Sequence, residues 1–156
     1  MPTLHLICGL PGAGKTTLAK ELETQHTAVR LCPDEWILAI LPPEYTEEDR
    51  NRLRDPIEAL QWMLAERLLS IGVNVIIEWG LWSRSERDDL QDRGRELGAA
   101  VTLHYLDVPL DELLRRIGER NRDLPDGSFR ISSSELLTWH GAFEPPDELE
   151  ISAYGD

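Results

Sequence analysis

An α/β fold, in which a parallel sheet carries helices on both faces, is predicted by three observations. Short apolar runs alternate with helix-spaced segments along the chain; the most β-branched run, VNVII, lies near its middle; and a glycine-rich stretch, GLPGAGKTT, joins the first run to the first helix. Strands that alternate with helices pair in parallel through right-handed crossovers, and ligands of such sheets bind beyond the carboxyl ends of the strands.

The elements follow in order. Thr3 to Cys8 (TLHLIC) reads as a strand, and Gly14 to about Gln25 as a helix with Leu18, Ala19 and Leu22 at helical spacing. Ala28 to Cys32 is a second strand, and Pro33 suits the first turn of a helix that runs to about Leu41, where Pro42 and Pro43 end it. A longer helix from Glu47 to Ile71 places Leu53, Ile57, Leu60, Leu64 and Leu68 on one packing face. Val73 to Ile77 is a strand buried on both faces, and Ser83 with Glu86 forms a capping box for a helix to about Leu97. Ala100 to Leu106 is a fourth strand, Pro109 to about Asn121 a helix, and Arg122 to Phe129 a loop rich in turn residues. A second capping box, Ser132 with Glu135, opens a helix to about Phe143, and Glu148 to Ser152 is expected to add a thin fifth strand.

At 156 residues the chain has the size of one domain, 1–156, with a single core. No apolar run approaches the roughly 20 residues that cross a bilayer, and no basic segment precedes an apolar core at the N-terminus, so a cytoplasmic location is expected. Cys8 and Cys32 end apolar runs and are read as free buried thiols. His5, His26, His104 and His140 are scattered without ligand spacing and suggest no zinc. The net charge of −13 opposes long-range attraction to nucleic acid, although nine of the arginines fall between Arg84 and Arg130.

GLPGAGKT matches Gly-x-x-x-x-Gly-Lys-Thr with a strand before it and a helix after it, the context this motif needs. Gly9, Pro11, Gly12, Ala13, Gly14, Lys15, Thr16 and Thr17 are therefore assigned to binding a nucleoside triphosphate. Lys15 should reach the terminal phosphates, and the Thr16 hydroxyl should hold Mg²⁺. Glu78, at the end of the apolar strand, is a second candidate for the metal shell; a solvated strand-end carboxylate is the plainer alternative. The chain lacks the Asn-Lys-x-Asp and Asp-x-x-Gly segments of a GTPase switch, which leaves a small kinase as the expected class. Asp34 lies just past the second strand, where its carboxylate either accepts a proton from an acceptor hydroxyl or caps the helix that follows.

In GLPGAGKTTLAKEL, CPDEW, IIEWGLWSRSERDDL, LRRIGERN and WHGAFEPPDE the sequence resembles the ATP-binding AAA-type proteins of the predicted-kinase group. These are similar to bacteriophage polynucleotide kinase, chloramphenicol phosphotransferase and the zeta toxins. The resemblance implies a three-layer P-loop fold with a five-stranded parallel sheet in the order 2-3-1-4-5, Asp34 as general base, and ATP with Mg²⁺ as cofactors. It also implies an arginine-bearing lid, matched here by about 115–131 with Arg115, Arg116, Arg120 and Arg122; Arg116 and Arg120 are the assigned members, with surface ion pairs as the alternative. The family more often has Asp where this chain has Glu78.

Trp36, Trp79 and Trp82, with Arg84 and Arg87, follow strands two and three and are read as acceptor-binding residues, against the alternative that the tryptophans only fill space. The expected function is phosphoryl transfer from ATP to a hydroxyl of a small molecule. The alternatives are a polynucleotide 5′-hydroxyl kinase, which the charge disfavours, and an ATP-dependent binding or signalling module without an acceptor. The sequence does not choose between a monomer and a homodimer, or between ATP and GTP.

Overall fold

The computed structural model describes residues 1–155. Its elements are β1 (Thr3–Cys8), α1 (Lys15–His26), β2 (Ala28–Leu31), α2 (Pro33–Ile40), α3 (Glu47–Ser70), β3 (Asn74–Gly80), α4 (Arg84–Glu96), β4 (Ala100–Tyr105), α5 (Leu110–Arg122), α6 (Ser133–Ala142) and α7 (Glu148–Ser152). All strand pairs are parallel, and the order is β2-β3-β1-β4, with Leu4 opposite Val75 on one side and Val101 on the other. This matches the first four positions of the expected order.

The pleat divides the side chains of β1 between two cores. Leu4, Leu6 and Cys8 meet Trp62, Ala65 and Leu69 of α3 and Leu90 of α4, whereas Ile7 meets Ala19 and Leu22 of α1. Near-continuous burial of β1 and β3 follows from this double coverage. A third cluster joins Leu10 and Ala13 of the glycine loop to Leu113, Ile117, Ile131 and Leu136, so α5 and α6 pack directly on the loop.

Three expectations are corrected here. Glu148–Ser152 is helix α7, not a fifth strand: the Asp147 side chain accepts from the Glu150 backbone N–H at 2.8 Å, and Leu149 is 81% exposed, which a parallel strand under helices would not tolerate. Among the described residues the sheet has four strands. The packing face of α3 is rotated relative to the leucine stripe, burying Ile57, Gln61, Trp62, Ala65 and Leu69 while Leu60 stays 53% exposed, because Trp62 supplies more area than a leucine and docks on the sheet. Finally, three of the histidines are not scattered in space. The His5 ring lies 4.8 Å from that of His26 and 5.3 Å from that of His104, with its Nδ1 3.1 Å from His104 Nε2.

Burial, reinforced by the two neighbouring rings, pushes His5 down to about 4. The fold therefore favours neutral His5, and the unfolded chain takes up a proton first as pH falls below 6.5. Stability from this group is complete above that value and is lost as pH falls toward about 4, a change on the order of 3 kcal/mol. Denaturant unfolding at pH 7.5 and pH 4 should show a larger acid-induced loss in the native protein than in His5→Phe; equal losses would refute this assignment.

Candidate active site

The glycine loop is built by its neighbours. Gly9 N–H donates to Gly80 O at 3.0 Å, and Ala13 N–H donates to Leu10 O at 3.1 Å. Gly12 and Gly14 adopt φ of +87° and +98°, which side-chain-bearing residues rarely take, and a Cβ on Gly12 would stand 3.3 Å from Ile117. No side chain caps α1, so the N–H groups at its start remain free for an anion at the positive end of the helix. Pro11, Gly12, Gly14, Lys15, Thr16 and Thr17 line a cavity of about 360 Å³ above them, whereas Gly9 and Ala13 lie behind it and shape the loop. Desolvation pulls the Lys15 ammonium below its ordinary pKa, opposed by Asp34 and Glu78.

The acids divide by setting. Glu78 is buried; its Oε2 accepts from Thr16 Oγ1 at 3.2 Å and its Oε1 from Arg30 Nη1 at 3.2 Å, so it is not a solvated strand-end carboxylate. Asp34 occupies the first turn of α2, but Cys32 is the N-cap, and the Asp34 carboxylate instead accepts from Arg54 Nη1 at 2.6 Å. Burial, and then the neighbouring Glu78 carboxylate, push the Cys32 thiol well above its usual range, which favours the protonated form.

The arginines of α5 also divide. Arg116 and Arg120 line the phosphate cavity, Arg116 through a bond from Nη1 to Gly12 O at 3.1 Å and from Nε to Glu112 at 3.0 Å. The Arg120 Nε is buried without a protein partner among the described residues, an arrangement that a bound anion would satisfy. Arg115 points elsewhere, holding Glu112 and Glu119 on the exposed face. Beyond α5 the segment Pro125 to Phe129 crosses the same cavity. Asn121 pins its far end by donating to Ile131 O at 2.6 Å and accepting from Ile131 N–H at 3.2 Å, and Phe129 anchors it against Ile37 and Ile57.

A second cavity of about 280 Å³ adjoins the first and shares Pro11, Asp34, Arg54, Trp82, Phe129 and Ile131 with it. Trp82 divides the two, donating from Nε1 to Gly9 O at 3.3 Å and lying 5.5 Å from the ring of Trp139. Trp79 lines the phosphate cavity and donates to Gln61 Oε1 at 2.8 Å.

Trp36, Arg84 and Arg87 line neither cavity. Trp36 packs against the apolar clusters around α3 and lines neither cavity. Arg84 is exposed on α4 beside Asp88. Arg87 is fully buried: its Nε and Nη2 donate to the two oxygens of Glu150 at 2.5 and 3.1 Å, and its Nη1 donates to Leu81 O at 2.9 Å. This clamp supports the turn Gly80-Leu81, whose φ values of +93° and +51° bring Gly80 O to the start of the glycine loop.

The sequence reading missed Arg50, Asn51 and Arg54 of α3, and Phe129, Ile131 and Trp139 beyond α5. Arg50 and Arg54 stand one helical turn apart, a spacing visible in the sequence, but only the packing of α3 on α2 turns that face to the site.

Parallel β-α units, a glycine loop opening α1 and an arginine-bearing helix over it define a P-loop nucleotide-binding protein of the kinase type. Residues 4–146 match the family described as AAA domain, and the chain belongs to that family. Among curated proteins it is similar to a shikimate kinase of Rhodococcus erythropolis, 27% identical over 147 residues that cover 85% of this chain and 76% of the relative. Among solved structures it is similar in fold to Kti12 of Chaetomium thermophilum, crystallised with ADP-AlF3, at 17% identity and a TM-score of 0.68, covering 94% of this chain and 82% of that one. A gluconokinase of Sinorhizobium meliloti gives 24% identity and a TM-score of 0.62, covering 96% and 79%. No helix among the described residues is long and apolar enough to cross a membrane.

Proposed function

We propose that this protein is an ATP- and Mg²⁺-dependent kinase that transfers the γ-phosphoryl group to a hydroxyl of a small molecule. The observation that carries the reading is the place of Asp34, whose side chain lines both the phosphate cavity with Lys15 and the adjoining cavity walled by Trp82 and Trp139. An alcohol in the second cavity and a triphosphate tail in the first would meet at that carboxylate. The names of two relatives, shikimate kinase and gluconokinase, support a small-molecule acceptor.

In this reading the free N–H groups at the start of α1 and the Lys15 ammonium hold the phosphates. Arg120, with its unpartnered Nε, and Arg116 stabilise the charge that spreads over the transferring oxygens. Asp34 accepts the hydroxyl proton. Thr16 Oγ1 and the Glu78 carboxylate fit a magnesium ion held partly through water, and that ion would screen the phosphate charge. The longer Glu side chain reaches Thr16 while also held by Arg30, which accounts for Glu where the resemblance leads one to expect Asp.

Incubation with γ-labelled ATP, Mg²⁺ and a panel of nucleosides, sugars, hydroxy acids, aminoglycosides and oligonucleotides tests the reading: a labelled small molecule is expected, and label on oligonucleotides alone would refute it. Trp139 lines only the second cavity, so Trp139→Ala should raise the acceptor KM about tenfold and leave the ATP KM within about twofold. Equal changes in both constants would count against separate subsites. Trp82 borders both cavities, and its replacement should disturb both constants.

A further inference from the structure

We propose that the acceptor carries, beside its hydroxyl, a flat apolar body and a negatively charged group, and that this group is received by Arg54, which releases Asp34 in taking it. The inference rests on the kinase reading above and names the substrate class of that same site.

The walls of the second cavity set the terms. Pro11, Ile37, Trp82, Phe129, Ile131 and Trp139 give it a largely apolar and aromatic lining, and at about 280 Å³ it suits a single ring system, not a polymer. Its polar side comes from α3, with Arg50, Asn51, Arg54 and the exposed Asp55 at the edge. The two arginines are not equivalent. Arg50 is buried and committed: it donates from Nη2 to Glu135 at 2.8 Å and from Nε to Asn51 at 3.3 Å, with its guanidinium 5.3 Å from the centre of the Phe129 ring and 5.9 Å from that of Trp139.

Arg54 is not so committed. Its side chain is 34% exposed, its Nη1 donates to Asp34 Oδ1 at 2.6 Å, its Nε lies 3.4 Å from Glu58, and its Nη2 makes no hydrogen bond to the described residues. The guanidinium therefore sits on an oxygen that an acceptor hydroxyl needs. A neutral alcohol at that oxygen competes with the ion pair and leaves Arg54 only Glu58 and water in exchange for a charge-assisted bond of 2.6 Å. An anionic acceptor supplies the replacement, since the guanidinium, which gives only Nη1 to Asp34, can take a carboxylate or phosphate with its planar fork. A cationic acceptor would face both arginines at close range.

In the transfer that follows, the acceptor O–H bond breaks and its proton passes to the Asp34 carboxylate. The acceptor oxygen forms a bond to the γ-phosphorus as the bond from that phosphorus to the bridging oxygen breaks, and ADP departs. The change of partner at Arg54 breaks no covalent bond.

The test is calorimetric binding to the full chain, with ADP present, of 3-(hydroxymethyl)benzoate and 4-hydroxycyclohexanecarboxylate, each beside its primary amide. At least one acid should bind about tenfold or more tightly than its amide, the usual scale for a charge-assisted hydrogen-bonded pair. In Arg54→Gln that preference should fall below about threefold, and in Arg54→Lys, which keeps the charge without the fork, it should be intermediate. Circular dichroism establishes that the variants fold, and the native comparison stands without them. If no acid binds more tightly than its amide, or the preference survives in Arg54→Gln, the proposal is overturned. The kinase reading fails by a different result, the absence of labelled phosphate on any alcohol.

Discussion

Replacement of Asp34 by Asn is expected to lower kcat by about 10²- to 10⁴-fold while ATP affinity stays within about threefold, because only the proton acceptor is lost. The side chain keeps its shape and its position where the two cavities meet, and the Lys15 and Thr16 end of the site is untouched. The ion pair that the change removes, Asp34 with Arg54, is 41% and 34% exposed, so little stability goes with it. Steady-state kinetics with equilibrium ATP binding is the measurement. A variant that binds and transfers as the native protein does would remove the base from Asp34 and favour the module that holds ATP without an acceptor.

Glu150→Ala should be the most destabilising single change, costing about 3 to 5 kcal/mol and lowering Tm by roughly 10 °C or more. It leaves the Arg87 guanidinium charged and without its carboxylate in a fully buried position. The pair itself contributes much less than this figure, because both charges lose water on folding. Arg87→Met combined with Glu150→Leu should therefore recover most of the loss. Calorimetric unfolding of the native, single and double variants reads the cycle, and a double variant as unstable as the single one would mean that the pair, not the orphaned charge, sets the cost. The same arginine holds Leu81 O, and the Tyr154 hydroxyl donates to Arg87 O at 3.2 Å, so the C-terminal segment supports the turn from which the glycine loop departs.

What the sequence made legible was local. The alternation of strands and helices, the helix starts at Ser83 and Ser132 and the glycine loop are each written in a few consecutive residues, and each is present in the structure. The expected capping boxes form only by half: each serine accepts the N–H three residues on, while Glu135 turns to Arg50, and the reciprocal pair is found at Thr46 and Asp49. ELEIS failed as a strand because its fate depended on a partner 63 residues away: Glu150 turns inward to Arg87, and Asp147 caps the short helix that results. Arg87 was read as a substrate ligand for the same reason, since an arginine after a strand end looks alike whether it faces a cavity or a buried carboxylate.

The sequence by itself determined the alternation of parallel strands and helices, the loop that cradles a phosphate and the carboxylate beside it, because glycine conformational freedom, β-branched runs and helix starts act over short distances; the strand order was implied by the family resemblance, not by any local signal. Only the tertiary structure decided that Arg54 reaches the site and that Arg84 and Arg87 do not, and it supplies the packing behind Arg116 and Arg120, which the resemblance had already singled out. Packing of α3 on α2 brings Arg54 to Asp34, and the docking of α5 on the glycine loop brings Arg116 and Arg120 over the cavity while Arg115 is left in solvent. Side-chain direction on a helix is set by which face is buried, and that face is chosen by neighbours distant in sequence.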